Sequence, residues 1–328
     1  MKIQAGNGLN MSEKKDYYQL EKKVQEYKQQ IDTLKEAEYP DKDKIAQLKS
    51  RIKQEWETLQ PKLTALNRVQ IARHPQRPYT LDYIKHLTRD FLEFHGDRRA
   101  GDDRAVVAGF GSCRGQSVAF IGHQKGRTTR ERINRNFGQP NPEGYRKALR
   151  IMKLAEKFNY PVITLIDTPG AYPGIEGEER GQAEAIAYNL KEISQLNIPV
   201  LNVIIGEGGS GGALAVGVGD RLLMLENSFY SVISPEGCAA ILWKDQSALP
   251  QAAENLRFLA QDLLEFGIAD TIIPEPPGGA HIDWETAFHN VDREIQKNLS
   301  ELQKLQPEDR IRKRYEKFRK MGVFGDNE

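Results

Sequence analysis

The N-terminal apolar residues recur at helical spacing between charged ones. The segment Tyr39-Pro40-Asp41 interrupts the series, because proline disfavours helix in the preceding residue and cannot continue the hydrogen-bond ladder. We therefore predict an antiparallel helical hairpin over residues 12–72. Its apolar stripe is narrow enough to require docking on another surface, and assembly is its simplest role. The positions that keep this spacing are Leu20, Val24, Tyr27, Ile31 and Leu34, then Ile45, Leu48, Ile52, Trp56 and Leu59.

From Arg73 onward, short β-rich runs alternate with helical ones. This order is typical of right-handed βαβ units and layered α/β packing. The run 200–205 is almost continuously apolar, as in a strand covered on both faces. We predict an α/β domain over 73–284, a charged helical tail over 285–328 and a disordered tail over 1–11. The predicted strands cover 105–110, 117–122, 162–167, 200–205 and 221–225, and the clearest predicted helices cover 142–158 and 180–196.

The composition is that of an ordinary globular protein. Of 328 residues, 39% are hydrophobic and 28% are charged, and the formal net charge is +1, so no global field attracts nucleic acid or a membrane. No apolar run approaches the roughly 20 residues that span a bilayer, and no signal pattern opens the chain. Cys113 and Cys238 fit no metal-ligand spacing, so we expect a cytoplasmic protein without disulfides or a metal of its own. The second methionine, Met11, leaves the native start open.

The segment Gly206-Glu-Gly-Gly-Ser-Gly-Gly-Ala213 follows a predicted strand and opens a predicted helix. Its glycines match the G-x-G-x-x-G dinucleotide fingerprint through Gly206, Gly208 and Gly211. The acidic residue that such a site needs would be Glu226, twenty positions after Gly206. Against this, the fingerprint usually lies in the first βαβ unit of its domain, whereas two or three strands precede it here.

The same segment also matches the G-x-S-x-G nucleophile elbow around Ser210. A hydrolase triad would then require an acid and a histidine downstream, but the histidine lies in a Pro/Gly-rich stretch without local support. A phosphate-binding P-loop is excluded because no Lys-Ser/Thr pair ends the run. The residues that the hydrolase interpretation would use are Gly208, Ser210 and Gly212, with Asp245 or Asp270 and with His281.

These motifs share one physical feature. Their glycines have no side chains, so other atoms can approach the backbone closely. Amides at a glycine-rich helix start form a preorganised site for an oxyanion, although tight helix–strand packing would also explain the glycines. Residues 167–174 and 231–238 form two further turns of this style. Consecutive strand-to-helix turns meet at one sheet edge, so we expect the first of these to lie beside the glycine segment. Ser234 is a predicted N-cap, with Pro235 at the first helical position.

Seven motifs stand in one order along the chain. They are Arg73-His-Pro-Gln-Arg-Pro-Tyr-Thr-Leu-Asp-Tyr83, Asn136-Phe-Gly138 with Pro142-Glu-Gly-Tyr-Arg-Lys-Ala-Leu-Arg150, Asp167-Thr-Pro-Gly-Ala-Tyr-Pro-Gly174, Glu178-Glu-Arg-Gly-Gln182, Gly206-Glu-Gly-Gly-Ser-Gly-Gly-Ala213, Ser231-Val-Ile-Ser-Pro-Glu-Gly-Cys238 and Glu275-Pro-Pro-Gly-Gly-Ala-His281. Together they resemble the carboxyltransferase α subunits of bacterial acetyl-CoA carboxylases. The resemblance covers nearly the whole chain, and its departures are the first ten residues and Pro276-Pro277.

This resemblance implies a crotonase-like α/β fold of repeated ββα units behind an N-terminal helical hairpin. It implies an α₂β₂ carboxyltransferase whose β subunit holds a zinc ribbon and most of the CoA contacts. The expected partners are that β subunit, the biotin carboxyl carrier protein and biotin carboxylase, in an ATP-binding carboxylase. The expected reaction moves a carboxyl group from carboxybiotin to acetyl-CoA, and the malonyl-CoA formed serves fatty acid synthesis. No nucleic acid or membrane partner is expected.

By the same resemblance, the amides of Gly208 and Gly209 are the expected oxyanion hole, for the oxyanion of biotin or of the enolate. Lys125 and Arg127 are candidates for contact with CoA phosphates, or else solvated loop charges. Tyr172 either lines the biotin pocket or packs in the core, and His123 is expected to be structural. The full set of lower-ranked binding candidates is Gly170, Ala171, Tyr172, Lys125, Arg127, Ser234, Glu236 and Gly237.

Three other functions stay open at this point. One is a different crotonase-like acyl-CoA enzyme, such as a hydratase, a hydrolase, or a propionyl-CoA carboxylase or decarboxylase subunit. Another is an NAD-dependent oxidoreductase, and the third is a non-catalytic assembly module. A carboxyltransferase α subunit should be inactive alone and should give no spectral response to NAD.

Overall fold

The computed structural model describes residues 17–322. The predicted disordered tail 1–11, and with it the choice between Met1 and Met11, lies outside this range. The chain divides into two compact units between Leu63 and Thr64. Their helices are α1 (Tyr17–Leu20), α2 (Lys22–Glu36) and α3 (Lys42–Leu59) in the first unit, and α4 (Ala65–Ala72), α5 (Thr80–Leu87), α6 (Thr129–Asn134), α7 (Pro142–Lys157), α8 (Ile175–Glu179), α9 (Gln182–Ser194), α10 (Ser210–Leu214), α11 (Pro235–Leu242), α12 (Leu249–Leu256), α13 (Ala260–Glu265), α14 (Trp284–Leu302) and α15 (Pro307–Arg319) in the second.

Helices α2 and α3 form the hairpin of the first unit. Asp41 caps α3 by accepting a hydrogen bond from the Lys44 amide at 2.9 Å. An ion pair of 3.2 Å between Lys23 and Glu55 joins the start of α2 to the end of α3, as an antiparallel pair requires. The unit ends at Leu63 rather than at the predicted residue 72.

Helix α4 lies in the second unit because its apolar face has partners there. Thr64 and Asn67 form a capping box at its start. Val69 and Ala72 then pack with Phe229 and Phe258 in one buried cluster. The sequence boundary was misplaced because the helical periodicity of the hairpin continues into α4.

The second unit is built on one sheet of mixed direction. The order of strands is β1-β2-β3-β4-β5-β6-β8. Strand β2 pairs antiparallel with both β1 and β3, and all later pairings are parallel. A further strand, β7, pairs with the end of β5. The strands are β1 (Arg89–Glu93), β2 (Val106–Cys113), β3 (Gln116–His123), β4 (Val162–Thr168), β5 (Val200–Gly209), β6 (Arg221–Leu225), β7 (Phe229–Ser231) and β8 (Thr271–Ile273).

Helices cover both faces of this sheet, as the continuous apolar strands predict. Along β5, Val200 and Ile204 face a cluster that includes residues of α7 and α9. The alternating residues Leu201 and Val203 face a second cluster with residues of α5 and α14. Strands β2 and β3 with helix α7 make one ββα unit of the expected kind.

The predicted C-terminal tail 285–328 is in fact part of this core, as far as the described residues reach. Val291 and Ile295 of α14 are fully buried against the sheet. Arg314 of α15 forms a buried ion pair of 2.9 Å with Asp220. The high charge of this segment obscured the apolar stripe of α14. No helix among residues 17–322 is long and apolar enough to cross a membrane.

Candidate active site at the ends of β4 and β5

Two strand-to-helix turns meet at the carboxyl ends of β4 and β5. Thr168 of β4 pairs with Gly208 of β5. A side chain added at Gly209 would place its Cβ 2.2 Å from the Pro169 carbonyl oxygen, and one added at Gly212 would place it 2.4 Å from the Ala171 amide nitrogen. Glycine is therefore required at both positions for close backbone contact. The structure brings the predicted turn 167–174 onto the glycine segment, as expected for one sheet edge.

Gly208 and Gly209 do not lie in a turn, because β5 continues through Gly209. Gly208 pairs with Thr168 on one side and Tyr230 of β7 on the other, and both glycines are buried. The turn itself falls at Ser210, which is exposed and has a φ of 51°. Glycines are poor strand formers, but here their lack of side chains lets two neighbouring strands and a turn approach together.

Gly170 and Ala171 lie where the sequence predicted, against the glycine segment. Gly170 has a φ of 148°, and its amide donates to the Thr168 hydroxyl at 3.0 Å. Tyr172 is half-buried; its amide donates to the Pro140 carbonyl at 2.9 Å and its hydroxyl lies 3.4 Å from Glu176. Its ring would lie only 2.5 Å from a Cβ at Gly174, so that glycine makes room for it. Tyr172 therefore fixes the turn by packing.

Ion pairs connect a third turn, which follows β7, to the end of β5. The Ser234 hydroxyl accepts from the Gly237 amide at 3.0 Å, and Pro235 opens α11, so the predicted cap is confirmed. Glu236 then lies 2.7 Å from a guanidinium nitrogen of Arg73. The same guanidinium reaches Glu207 of β5 at 2.6 Å.

Four charged residues form a network directly before the glycines. Lys125 lies 2.7 Å from Asp167 and 3.2 Å from Glu207, and its side chain is only 16% exposed. Asp167 also accepts from the Glu207 amide at 3.0 Å. Lys125 is thus neither a solvated loop charge nor a free contact for a phosphate. With Arg73, it ties β4, β5 and the loop after β3 together.

Ion pairing, rather than burial, determines the direction of the pKa shifts in this network. Burial alone would raise the pKa of Glu207, but the charges of Lys125 and Arg73 outweigh it and lower that pKa below its usual value. Burial would likewise lower the pKa of Lys125, yet Asp167 and Glu207 raise it. Both partners therefore stay charged at neutral pH.

His123, the last residue of β3, is fully buried. Burial, with the nearby charge of Lys125, lowers the pKa of its imidazole to about 3. A backbone contact with Gly212 opposes this shift without cancelling it. A histidine in this state is neutral at physiological pH.

Arg127 lies outside the network. Its guanidinium is 2.6 Å from Asp82 and stacks over the Tyr79 ring at 4.6 Å and the Trp284 ring at 5.0 Å. These contacts satisfy its charge within the fold, so its predicted contact with phosphate has no support in its geometry.

A cavity of about 400 Å³ opens beside the turn after β5. Its walls come from α10, from the segment after β7 and from the end of α15 with Met321 just after it, and they are mostly apolar. A cavity of this size and character is typical of small-molecule sites. Its lining includes Ser210, Gly211, Leu214, Tyr230, Val232, Leu263, Ile268, Phe318 and Met321.

The geometry rejects both rival motif interpretations. Gly206 and Gly208 lie within strand β5, whereas a dinucleotide fingerprint needs them in the turn before a helix. Ser210 does have the positive φ of a nucleophile elbow. However, among the described residues no histidine is hydrogen-bonded to it, and Asp270 is held by the Leu222 amide at 2.7 Å. Neither the dinucleotide-binding residues nor the residues of a hydrolase triad are therefore assembled into a site.

Sequence reasoning missed Arg73, Asp167 and Glu207 as site residues. A usable signal was present, since Asp167 and Glu207 are carboxylates at the ends of two almost wholly apolar strands. Charges in such positions are buried and need partners. The partner of both proved to be Lys125, far from either in sequence.

Comparison with known proteins agrees with this geometry. Residues 15–322 match the family model described as acetyl co-enzyme A carboxylase carboxyltransferase-like. The α subunit of the acetyl-coenzyme A carboxylase carboxyl transferase of Geobacter metallireducens is 52% identical over 95% of this chain and 97% of its own. The corresponding subunit of Halalkalibacterium halodurans is 54% identical over 93% and 95%.

A solved structure shows the same fold at much lower identity. Transcarboxylase 12S, crystallised with methylmalonyl-coenzyme A and methylmalonic acid, matches with a TM-score of 0.56 and 20% identity. The match covers 68% of this chain and 41% of that longer chain. The crotonase-like α/β class is thereby confirmed. The chain belongs to the family of acetyl-CoA carboxylase carboxyltransferase α subunits.

Proposed function

We propose that this chain is the carboxybiotin-binding half of an acetyl-CoA carboxyltransferase, and that the backbone at Gly208 and Gly209 stabilises the oxyanion of the reaction. The proposal rests on one observation, which is that the turns after β4 and β5 pack against each other. The strand end is buried and in close backbone contact with residues 169–171. Backbone dipoles held in this way need no reorganisation as charge develops, which is the largest single source of catalysis in such sites.

The side chains around the glycines support catalysis by backbone groups. Asp167 and Glu207 are both ion-paired to Lys125, and His123 is buried and neutral. No uncommitted general base therefore lies beside the glycines within the described residues. Carboxybiotin supplies the carboxyl group and, once it has given up CO₂, a ureido group basic enough to deprotonate the acetyl methyl. The task left to this chain is to hold and orient the reactants and to exclude water from them.

The residues present fit an uncharged ring system such as that of biotin. The cavity beside Ser210 and Gly211 has mostly carbon walls, and the Gly170–Ala171 turn packs against Gly212 of the same segment. In this proposal the cavity would hold the ring, and the backbone at Gly208 and Gly209 would stabilise the oxyanion. The oxyanion that they serve is either that of biotin or that of the enolate.

A second subunit would complete the site. Val232 of the third turn is 84% exposed, and Ile241 and Leu242 of α11 are 66% and 68% exposed. Large exposed apolar groups beside a site are typical of protein interfaces. We assign this surface to the β subunit of an α₂β₂ carboxyltransferase, which would carry the zinc. The biotin carboxyl carrier protein, biotin carboxylase and ATP binding belong to the complete carboxylase in this proposal.

Reconstitution tests the proposal. The chain is purified alone and with a zinc-ribbon β subunit, and malonyl-CoA decarboxylation is measured with biocytin as carboxyl acceptor. We expect activity only from the pair and no absorbance change on addition of NAD. Turnover of an acyl-CoA by the chain alone would favour a hydratase or hydrolase. A preference of the pair for methylmalonyl-CoA over malonyl-CoA would favour a propionyl-CoA enzyme.

A further inference from the structure

The third turn, residues 231–238, supplies one wall of the apolar cavity beside the glycines. Ser231 and Val232 line that cavity, and Ser231 is the register partner of Gly209 in the pairing of β7 with β5. The Ser231 hydroxyl donates to the Ile233 carbonyl at 2.7 Å, which closes the start of the turn on itself. The position of this wall therefore depends on the contacts that hold the rest of the turn in place.

One guanidinium group connects the third turn to the end of β5. The guanidinium of Arg73 lies 2.6 Å from Glu207 and 2.7 Å from Glu236. Its central carbon lies 5.5 Å from the centre of the Phe229 ring, and Phe229 is the register partner of Glu207. Arg73 therefore contacts both strands of the β5–β7 pair and the first turn of α11. A planar guanidinium can bridge two carboxylates in this way, whereas a lysine ammonium is a single point charge.

The two carboxylates that Arg73 bridges differ in exposure. The Glu207 side chain is only 6% exposed and also lies 3.2 Å from Lys125, so it is fixed within the fold. The Glu236 side chain is 41% exposed, and Arg73 is its only ion-pair partner among residues 17–322. Burial would raise the pKa of Glu236, but the hydrogen bond and the charge of Arg73 lower it. Partly exposed pairs add little to folding stability, so the fold does not depend on this contact.

We infer that Glu236 is a positioning residue, which through Arg73 holds the third turn where it completes the cavity for the ring of the carboxyl acceptor. Glu236 does not line the cavity, so it acts on the ring only through the turn. Ser234 and Gly237, its neighbours among the sequence-predicted binding candidates, are engaged in the cap of α11. This inference rests on the proposed function, because that proposal places the ring in this cavity.

Without the pair of Arg73 and Glu236, the third turn is free to leave this position. The ring then binds only to the fraction of molecules in which the turn is in place, and the apparent affinity falls by that fraction. A saturating ring concentration restores the bound position of the turn. Loss of the pair therefore raises the KM for the acceptor and leaves kcat nearly unchanged. A loss of folded protein would instead lower kcat at constant KM.

The test measures carboxyl transfer from malonyl-CoA to biocytin by the assembled α and β complex, with each substrate varied in turn. For Glu236→Ala, we expect the KM for biocytin to rise about three- to fivefold, the range that a partly exposed ion pair supplies. The kcat and the KM for malonyl-CoA should change less than about twofold, and Tm should fall by less than about 3 °C. Glu236→Gln keeps an oxygen that accepts from Arg73, so its rise in KM should be smaller. It takes the place of Glu236→Ala if that variant impairs assembly.

A double-mutant cycle tests whether Glu236 acts through Arg73. Arg73→Lys keeps a positive charge for the buried Glu207 but cannot hold both carboxylates at once. We expect it to raise the KM for biocytin as much as Glu236→Ala does, with no further rise when the two are combined. Effects that multiply in the double variant would overturn the inference. Glu55→Ala, which breaks a 3.2 Å ion pair on α3 whose carboxylate is 36% exposed, is the matched control and should leave both KM values unchanged.

Amide hydrogen exchange of the full chain reports on the turn without any reaction. The amides of Gly237 and Cys238 donate to the hydroxyl and the carbonyl of Ser234, so they report opening at the start of α11. In Glu236→Ala, we expect these amides to exchange about three- to fivefold faster, with the amides of α7 unchanged. Unchanged exchange, or faster exchange with an unchanged KM for biocytin, would overturn this inference. Failure of the wild-type complex to transfer carboxyl groups would refute the proposed function alone, and the exchange rates would then decide this inference.

Discussion

Lys125→Met tests the network that precedes the glycines. Methionine keeps most of the length and the apolar stem of lysine but removes its charge. Asp167 then loses its only ion-pair partner among the described residues, while Glu207 keeps Arg73 at 2.6 Å. The side chains of Asp167 and Glu207 are only 5% and 6% exposed, so solvent cannot replace the ammonium group.

The magnitude follows from this burial. Breaking a buried pair by removing one partner typically costs about 3–5 kcal/mol, because it leaves an uncompensated charge. Glu207 keeps Arg73 but loses Lys125, the larger of the two charges that lower its pKa, so both carboxylates contribute, and we expect a total cost of about 3 kcal/mol at pH 7. Catalysis should suffer as well, since Asp167 accepts from the Glu207 amide one residue before Gly208.

The assay is urea unfolding of the full chain between pH 7 and pH 3, with Lys85→Met as the control for an exposed lysine on α5. The pKa of Glu207 is lowered in the folded state, so its stabilisation is present above its unfolded pKa and is lost as pH falls through the folded value. The wild-type advantage over Lys125→Met should therefore shrink below about pH 4. A loss under about 0.5 kcal/mol at pH 7, equal to that of Lys85→Met, would refute this reasoning.

Three further predictions follow from single contacts. Ser210→Gly should raise the free energy of unfolding by about 0.5–1 kcal/mol in urea titrations, because it relieves a φ of 51° at some entropic cost. Arg314→Met should lower that free energy by about 3–5 kcal/mol, because Asp220 is left buried and unpaired, and thermal melting will show it. Arg127→Ala should leave the KM for malonyl-CoA unchanged in steady-state assays, because its guanidinium is bound to Asp82.

Much of the fold could be predicted from the spacing of apolar residues along the chain. The helix predicted over 142–158 is observed as Pro142–Lys157, and the strand predicted over 221–225 is observed with those bounds. Strand β5 was cut short in prediction because Gly206–Gly209 have low strand propensity. The pairing of Gly208 with both Thr168 and Tyr230 overrides that preference.

The candidate site was predictable where its signals are local. Ser234 before Pro235 indicated a cap, and the turn after β4 was expected beside the glycines. The charge network was not predictable, because its members come from four separate elements and only folding brings them together. For the same reason, Lys125 was assigned to phosphate contact when its partners are Asp167 and Glu207.

The central claim is that backbone at Gly208, and not the Ser210 hydroxyl, serves the reaction. The most direct measurement is carboxyl transfer from malonyl-CoA to biocytin by the complex assembled with Gly208→Val, Ser210→Gly or wild-type chain. A Cβ at residue 208 would lie 2.9 Å from Cδ2 of Tyr230 and 3.2 Å from the Phe229 carbonyl oxygen, so thermal melting and assembly of the variant are compared with wild type before transfer is measured.

We expect Gly208→Val to lose a factor of about 10²–10³ in kcat, as when one oxyanion donor is removed, and Ser210→Gly to retain wild-type kcat. Wild-type transfer by Gly208→Val, or loss of transfer in Ser210→Gly, would contradict the account.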